Sequence, residues 1–342
     1  MEALVQRAIE QVRLSAKTEV PWKPDEPWHQ SYHTYRDDTW HAAQPSKSSA
    51  TSIEQPFTKV ALYSWNIDFM LPLGDSRMTQ AIRHLRTLVS AQQQDVASIL
   101  YLQETTKSDL HIIAADSWVQ ETFHLTDVDG SNWSSGHYGT VTLIDRRLTV
   151  KSCFRVHYSQ THMERDAFFT DVHLGTKNDQ VVRFCNTHLE SLALEPALRP
   201  PQAALVAKYL REEGLAGGIM AGDFNAIQDF DRHLHTDNNL KDAYLELAGR
   251  EDGEEGYTWG QQAATKLRKQ FGCSRMDKVY FCGSALELKG FERFGAGVEL
   301  QDEKERDEIT RLGFEKAWIT DHLGVVAVFS VEKSEVVSSA KI

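Results

Sequence analysis

The sequence predicts an α/β chain in which two β-sheets pack face to face with helices on the outside. Two observations carry this reading. Runs of β-branched and aromatic residues recur through most of the chain while few segments show helical spacing, so the elements follow an α-β-β rhythm and not a strict β-α-β one. Five runs also border short polar motifs: Ser64-Trp65-Asn66-Ile67-Asp68, Leu102-Gln103-Glu104, Asn186-Thr187-His188-Leu189-Glu190, Gly222-Asp223-Phe224-Asn225 and Thr320-Asp321-His322. Asn, Glu, His and Asp at neighbouring strand ends can meet on one rim of a sheet and hold a divalent cation and a phosphate together.

Residues 1 to about 18 have the spacing of an amphipathic helix, and residues 19 to 56 are polar, aromatic and strand-poor, with a Ser-rich linker over 44 to 56. Trp22, Trp28, Tyr32, Tyr35 and Trp40 are too many large aromatics for a disordered tail, so this arm is expected to dock on the domain surface. From Phe57 a strand KVALYSWNI, an amphipathic helix MTQAIRHLRTLVSAQQ and a strand DVASILYLQE follow. GTVTLID, TVKSCFRVHY, DAFFTDVHL and VVRFCNTHL then read as strands. A helix over Pro196 to Glu213 stops at Gly214 and leads into GGIMAGDFN, and a third helix spans about Asn239 to Gly249. SRMDKVYFCG, ALELKGFERFGAGVEL and HLGVVAVFSV close the domain as strands, with the charged segment QDEKERDEITRLGFEKAW read as a loop. Both halves carry motifs, so 57 to 332 is one catalytic domain between an arm and linker (1 to 56) and a tail (333 to 342).

The 342 residues suffice for one large domain with a substantial core, and 41% apolar with 25% charged residues is ordinary globular usage. The net charge of −12 argues against a protein that coats nucleic acid non-specifically. Within Ala264 to Tyr280, however, Lys266, Arg268, Lys269, Arg275 and Lys278 face only Asp277, which makes this the candidate phosphate-facing surface. Cys153, Cys185, Cys273 and Cys282 lack paired spacing and read as isolated thiols of a reducing compartment. No secretory signal or membrane span is visible.

Phosphodiester hydrolysis needs a positioned water, charge relief on the nonbridging oxygens and a stabilised leaving oxygen. Glu104, at the end of ASILYLQE, is the candidate Mg²⁺ ligand. Asp223 and Asn225 share one face of an extended segment and can bracket a water, although the same pair would also suit an Asx turn. His322 is a candidate phosphate ligand whose charge needs a partner, which Asp277 can supply. His188 is a second candidate phosphate donor, and Asn66, an amide on an apolar strand, needs a ligand or a network.

Taken in order, N, QE, THLE, GDFN, RxD and TDH resemble the endonuclease/exonuclease/phosphatase superfamily over about residues 57 to 331. The resemblance implies a four-layered α/β sandwich, two packed mixed β-sheets flanked by helices, and Mg²⁺ or Mn²⁺ as cofactor. It implies metal binding by Glu104 with help from Asn66 and Asp321, water activation by Asp223 and Asn225, phosphate contacts from His188 and His322, and orientation of His322 by Asp277. WNID, THLES and the segment Tyr257-Thr258-Trp259 are similar to the type-2 tyrosyl-DNA phosphodiesterase branch, which releases tyrosine from DNA 5′ ends. That likeness implies Trp259 against the DNA end, Tyr138 lining the cleft and Arg165 contacting phosphate. The expected partner is a DNA 5′ end carrying a tyrosyl or peptide adduct, with no membrane. The protein is expected to be monomeric and intracellular, in the nucleus and/or cytoplasm. The alternatives are another phosphoesterase of the same fold (abasic-site endonuclease, deadenylase, lipid or inositol phosphatase) or a non-catalytic binding module.

Overall fold

The computed structural model describes residues 10, 14, 16–45, 57–176 and 180–331. Its strands, in chain order, are β1 Pro27–His29, β2 Tyr32–Arg36, β3 Thr39–Ala43, β4 Lys59–Asn66, β5 Val96–Thr106, β6 Phe123–Leu125, β7 Tyr138–Asp145 and β8 Thr149–His157. They continue with β9 Asp166–His173, β10 Val181–Thr187, β11 Gly217–Asp223, β12 Lys241–Asp242, β13 Asp277–Cys282, β14 Leu286–Phe294 and β15 Gly324–Val331. A seven-stranded sheet runs β1-β8-β9-β10-β11-β13-β12, and an eight-stranded sheet runs β14-β15-β4-β5-β7-β6-β2-β3. The main helices are α1 Gly74–Ser90, α2 Lys107–Ala115 and α3 Arg199–Leu210.

Strand alternation produces the layers. On β4, Val60 and Leu62 face the core between the sheets, whereas Ala61, Tyr63 and Trp65 face the outer layer with Met78, Ala81 and Leu85 of α1. The seven-stranded sheet does the same: Phe168, Phe184 and Ile219 point inward, while Phe169, Cys185 and Met220 meet Ala203, Val206 and Leu210 of α3. Both faces of the central strands are therefore buried, which is why they read as near-continuous apolar runs. Trp65 is fully buried, and truncating it to Ala should cost about 3 to 5 kcal/mol.

Each sheet contains one parallel pair, β4 with β5 and β10 with β11, among antiparallel neighbours. A parallel pair brings both carboxyl ends to one rim, so Asn66 lies opposite Gln103, and Asn186 lies opposite Ala221 just before Asp223. The motifs are gathered by this arrangement.

Four expectations are corrected. The arm, read as strand-poor, contributes β1 to the edge of the seven-stranded sheet beside β8 and β2–β3 to the eight-stranded sheet beside β6. Its Tyr, Thr and Trp residues suit a half-buried pleated edge, and Trp40 Nε1 donates to Ala114 O. The charged segment read as a loop carries a helix, Glu303–Arg311, whose start Asp302 caps by accepting from Lys304 N and Glu305 N. The third helix shrinks to the turn Ala243–Glu246 after β12, with Asp242 as its cap. In the basic segment Arg275 and Lys278 are buried and paired with Glu251, and Arg268 pairs with Glu315, so only Lys266 and Lys269 of that set stand exposed.

Most of the expected helix over residues 1 to 18, the linker from residue 46 onward and the tail 333 to 342 lie outside the described residues. Among the described residues, no helix is long and apolar enough to cross a membrane.

Candidate active site

Three backbone features aim the site. Glu104 sits in an irregularity of the β5–β7 pairing between Leu102 and Thr105, at a φ of 57°, which turns its side chain off the ladder. Gly222, at a φ of 152°, lies so close to β10 that a Cβ there would stand 1.7 Å from Thr187 O. Only glycine permits that approach, and it brings Asp223 against His188. Thr320 Oγ1 donates to Asn66 O at 2.8 Å and Trp65 Nε1 donates to His322 O at 3.1 Å, which ties the Thr-Asp-His motif to the end of β4.

Asp223 is the hub. Its Oδ2 accepts from Asn66 Nδ2 at 2.9 Å and lies 3.3 Å from His188 Nε2 and 3.7 Å from His322 Nε2, while Oδ1 accepts from Asn225 N at 2.8 Å. The two imidazoles differ in what their other nitrogen meets. His188 Nδ1 faces Arg165, a group that can only donate, so the proton of His188 belongs on Nε2 and points at Asp223. Asn225 Nδ2 lies 3.0 Å from that same Nε2 and gives its proton to Leu189 O, also at 3.0 Å. His322 Nδ1 lies 2.9 Å from Asp277 Oδ2, and its Nε2 faces Asp223 and Asp321, so both nitrogens have acceptors and the ring is an imidazolium.

Electrostatics agree with these assignments. Burial and the Arg165 charge hold His188 below the usual histidine range. Burial also opposes charge on His322, but Asp277 and Asp223 outweigh it and hold this ring well above that range. Burial pushes Asp277 up to about 6 against the pull of His322; the two groups share one proton, and the further carboxylates beyond the ring keep it on His322. Asp223 is pushed up by burial and pulled below the usual carboxylate range by the charge of His322 and the hydrogen bond of His188.

The remaining expected residues fall as follows. Trp259 is half-buried, and its Nε1 donates to Asp321 Oδ2 at 2.7 Å. Tyr138 is only 4% exposed: its hydroxyl is spent on Met163 O, and the Phe69 ring stacks on it at 4.3 Å. Phe69 therefore covers one face of the Tyr138 ring, which was expected to line the cleft. Arg165, expected to contact phosphate, lies over the Tyr138 ring at 5.1 Å and is buried, with its guanidinium against His188.

Asn66, expected to help hold the metal, lies at the centre of this network. Its Oδ1 accepts from Asp68 N at 2.9 Å, which leaves the amide nitrogen facing Glu104 Oε1 at 3.3 Å and Asp223. Asn66 thus gives the centre a donor that orients both carboxylates. Two residues were missed. Asp68, two positions after Asn66 and at a φ of 55°, is pushed up to about 8 by burial and then by the charges of Asp321 and Glu104. Arg77, buried in α1, donates to the carbonyls of Ile67, Asp68, Leu71, Pro72 and Ile319 and so fixes the loop between β4 and α1. The second acid of WNID was a visible signal for Asp68. Arg77 had none beyond standing next to Met78 on the buried face of a helix.

The donor set suits a hard divalent cation. Burial pushes both Asp68 and Asp321 up, and the charge of Glu104 adds to the push at each of them, a conflict that a bound cation resolves. The Glu104 oxygens are held by Asn66 Nδ2 and by Phe69 N at 3.0 Å, which fixes the orientation of the carboxylate. Ligand atoms of Glu104, His188 and Asp223 also fall within 4.8 Å of one another, as do those of Asp223, Asp277 and His322.

The fold and this rim define a metal-dependent phosphoesterase class, and the chain belongs to the Endonuclease/Exonuclease/phosphatase family, whose model matches residues 63–322. Among solved structures it is similar to truncated Caenorhabditis elegans TDP2, at 22% identity and a TM-score of 0.57, over 80% of this chain and 98% of that one. It is also similar to D. rerio TDP2 complexed with single strand DNA product, at 16% identity and a TM-score of 0.60, over 80% and 99%. The human Nocturnin catalytic domain with bound sulfate matches at 15% identity and a TM-score of 0.54, over 80% and 95%. No curated protein sequence matches. The family makes the chain a hydrolase acting on phosphoester bonds, and its members generally depend on a divalent metal.

Proposed function

We propose that this hydrolase cleaves the 5′-phosphotyrosyl bond that joins a protein or peptide to a DNA end, with Mg²⁺ as cofactor. The observation that carries the reading is the pair of histidines on Asp223, one a neutral donor and one an imidazolium, beside the carboxylates of Asp68, Glu104 and Asp321. Glu104, Asp321 and Asp68 would hold the cation, which when bound supplies charge relief on the nonbridging oxygens. Asp223, kept ionised, accepts a proton of the attacking water and orients it toward phosphorus. His188 Nε2–H and the His322 imidazolium donate to the phosphoryl oxygens as charge builds on them. A phenol with a pKa of about 10 leaves without a general acid, and among the assigned groups none is spare for that task.

Three features support the substrate. The half-buried Trp259 indole lies beside Asp321, where an unpaired base can stack. The net charge of −12, with only two of the five bases of the 264–280 segment exposed, suits an end better than a long duplex. The similar structures include TDP2, in one case with a single-strand DNA product. The test is release of tyrosine from a 5′-phosphotyrosyl oligonucleotide in Mg²⁺ and in EDTA, with Asp223→Asn as control. Metal-dependent release that the variant lacks is expected. Folded protein that leaves this substrate intact while hydrolysing another phosphoester would overturn the substrate assignment.

A further inference from the structure

The hairpin that joins β8 to β9 delivers Arg165 to His188. Tyr158 N donates to Arg165 O at 3.2 Å, and Arg165 N donates to Thr161 Oγ1 at 3.0 Å. Two tethers hold this hairpin. On one side Glu190, two residues after His188, accepts from Thr161 Oγ1 at 2.7 Å and from His162 N. On the other side the N-terminal arm arrives at Asp25, a non-glycine residue at a φ of 61°. Every polar group of Asp25 is used there: its N donates to His157 O at 2.7 Å, its carboxylate accepts from Ser159 N at 2.8 Å and from Ser159 Oγ, and its O accepts from Tyr209 OH at 2.9 Å. Just before it, Trp22 stacks on His157 with ring centroids 4.1 Å apart.

A left-handed conformation at a residue with a Cβ is sustained only where the surroundings over-determine it. Here they determine the pitch of one hairpin. We propose that Asp25 is a positioning residue for the active site: by fixing the His157–Ser159 leg of the hairpin it sets Arg165 against His188 Nδ1, and so fixes which nitrogen of His188 donates to Asp223. The inference deepens the hydrolytic reading of the same site and rests on it for kinetics alone.

The test uses full-length protein labelled with ¹⁵N-histidine, with His188 assigned by its loss in His188→Gln. Wild type should show a single neutral tautomer with the proton on Nε2. Asp25→Ala should show mixed tautomers, and its kcat on the phosphodiester substrate should fall about tenfold with KM within about twofold, as expected for a misplaced catalytic group. Asp25→Asn, which keeps an acceptor oxygen for Ser159, should recover most of both signals. Trp40→Phe removes an arm hydrogen bond elsewhere, to Ala114 O, and should leave both unchanged even if Tm falls. Folded Asp25→Ala with the wild-type His188 spectrum would overturn the inference. If the Ala variant does not fold, Ser159→Ala, which removes one of the two hairpin bonds to the Asp25 carboxylate, should show the same tautomer mixing and fall in kcat in weaker form, and a wild-type His188 spectrum with unchanged kcat in that variant overturns the inference. The spectrum needs no substrate, so an incorrect substrate would leave this result standing.

Discussion

His188 and His322 face the same oxygen of Asp223, yet one ring is neutral and the other is charged. The shared partner cannot be the cause. What differs is the group behind each ring: a guanidinium that can only donate at His188, a carboxylate that can only accept at His322. The hub supplies the negative charge, and residues one shell further out decide which ring answers it with a formal charge and which with a hydrogen bond alone. Most of the chemistry at this rim is therefore set by Arg165 and Asp277.

Removing the hub should have the largest effect. Asp223→Asn leaves both rings without their common anion, and turnover should fall at least about 1,000-fold in a folded protein. Asp277→Asn tests the charged side alone, with a loss of about 100-fold expected. The sign of the pH effect follows from the raised His322: its charge is present below its folded value and lost as pH rises through that value, so removing Asp277 should move the alkaline limb of kcat to lower pH. A pH–rate profile checks this, and an unmoved limb would count against the imidazolium. Arg165→Met tests the neutral side. Without the cation behind it His188 becomes easier to protonate, so an acidic limb should appear or move upward in pH, with a loss of about tenfold at neutral pH.

A third histidine gives the background case. Burial, aided by Arg155, brings His157 down to about 4, although Asp166 opposes the shift. A base lowered by folding contributes stability that is complete above its unfolded value near 6.5 and is lost as pH falls toward the folded one. At pH 5 the loss should approach about 2 kcal/mol, from 1.5 pH units at about 1.36 kcal/mol each. Urea denaturation at pH 7.5 and pH 5 measures it, and His157→Phe should flatten the difference without changing the pH profile of turnover.

How much of this was readable beforehand follows from the range of each signal. Alternation along β4, β5, β10 and β11 is local, so those strands and their polar ends stood out, and the family followed from the order of the motifs. The arm strands are three to five residues long and sit at sheet edges, where too few positions are buried for a period of two to show. The cap of α2 pairs Thr106 with Asp109, a variant of the usual Ser/Thr-x-x-Glu pattern. Arg275 and Lys278 read as surface charges because their partner Glu251 belongs to a different element. The amide of Asn66 presents its donor only because Asp68 N claims its oxygen, a choice made by folded geometry alone.

Arg77 bears on how variants of this chain are to be scored. Its five donors meet carbonyls of Ile67, Asp68, Leu71, Pro72 and Ile319, and lysine, with three donors on a flexible stem, has no way to span them. A saturation screen that records only turnover would rank position 77 beside position 223. Recording the amount of soluble protein in the same cells would separate them, because losses at 77 should track abundance while losses at 223 should not.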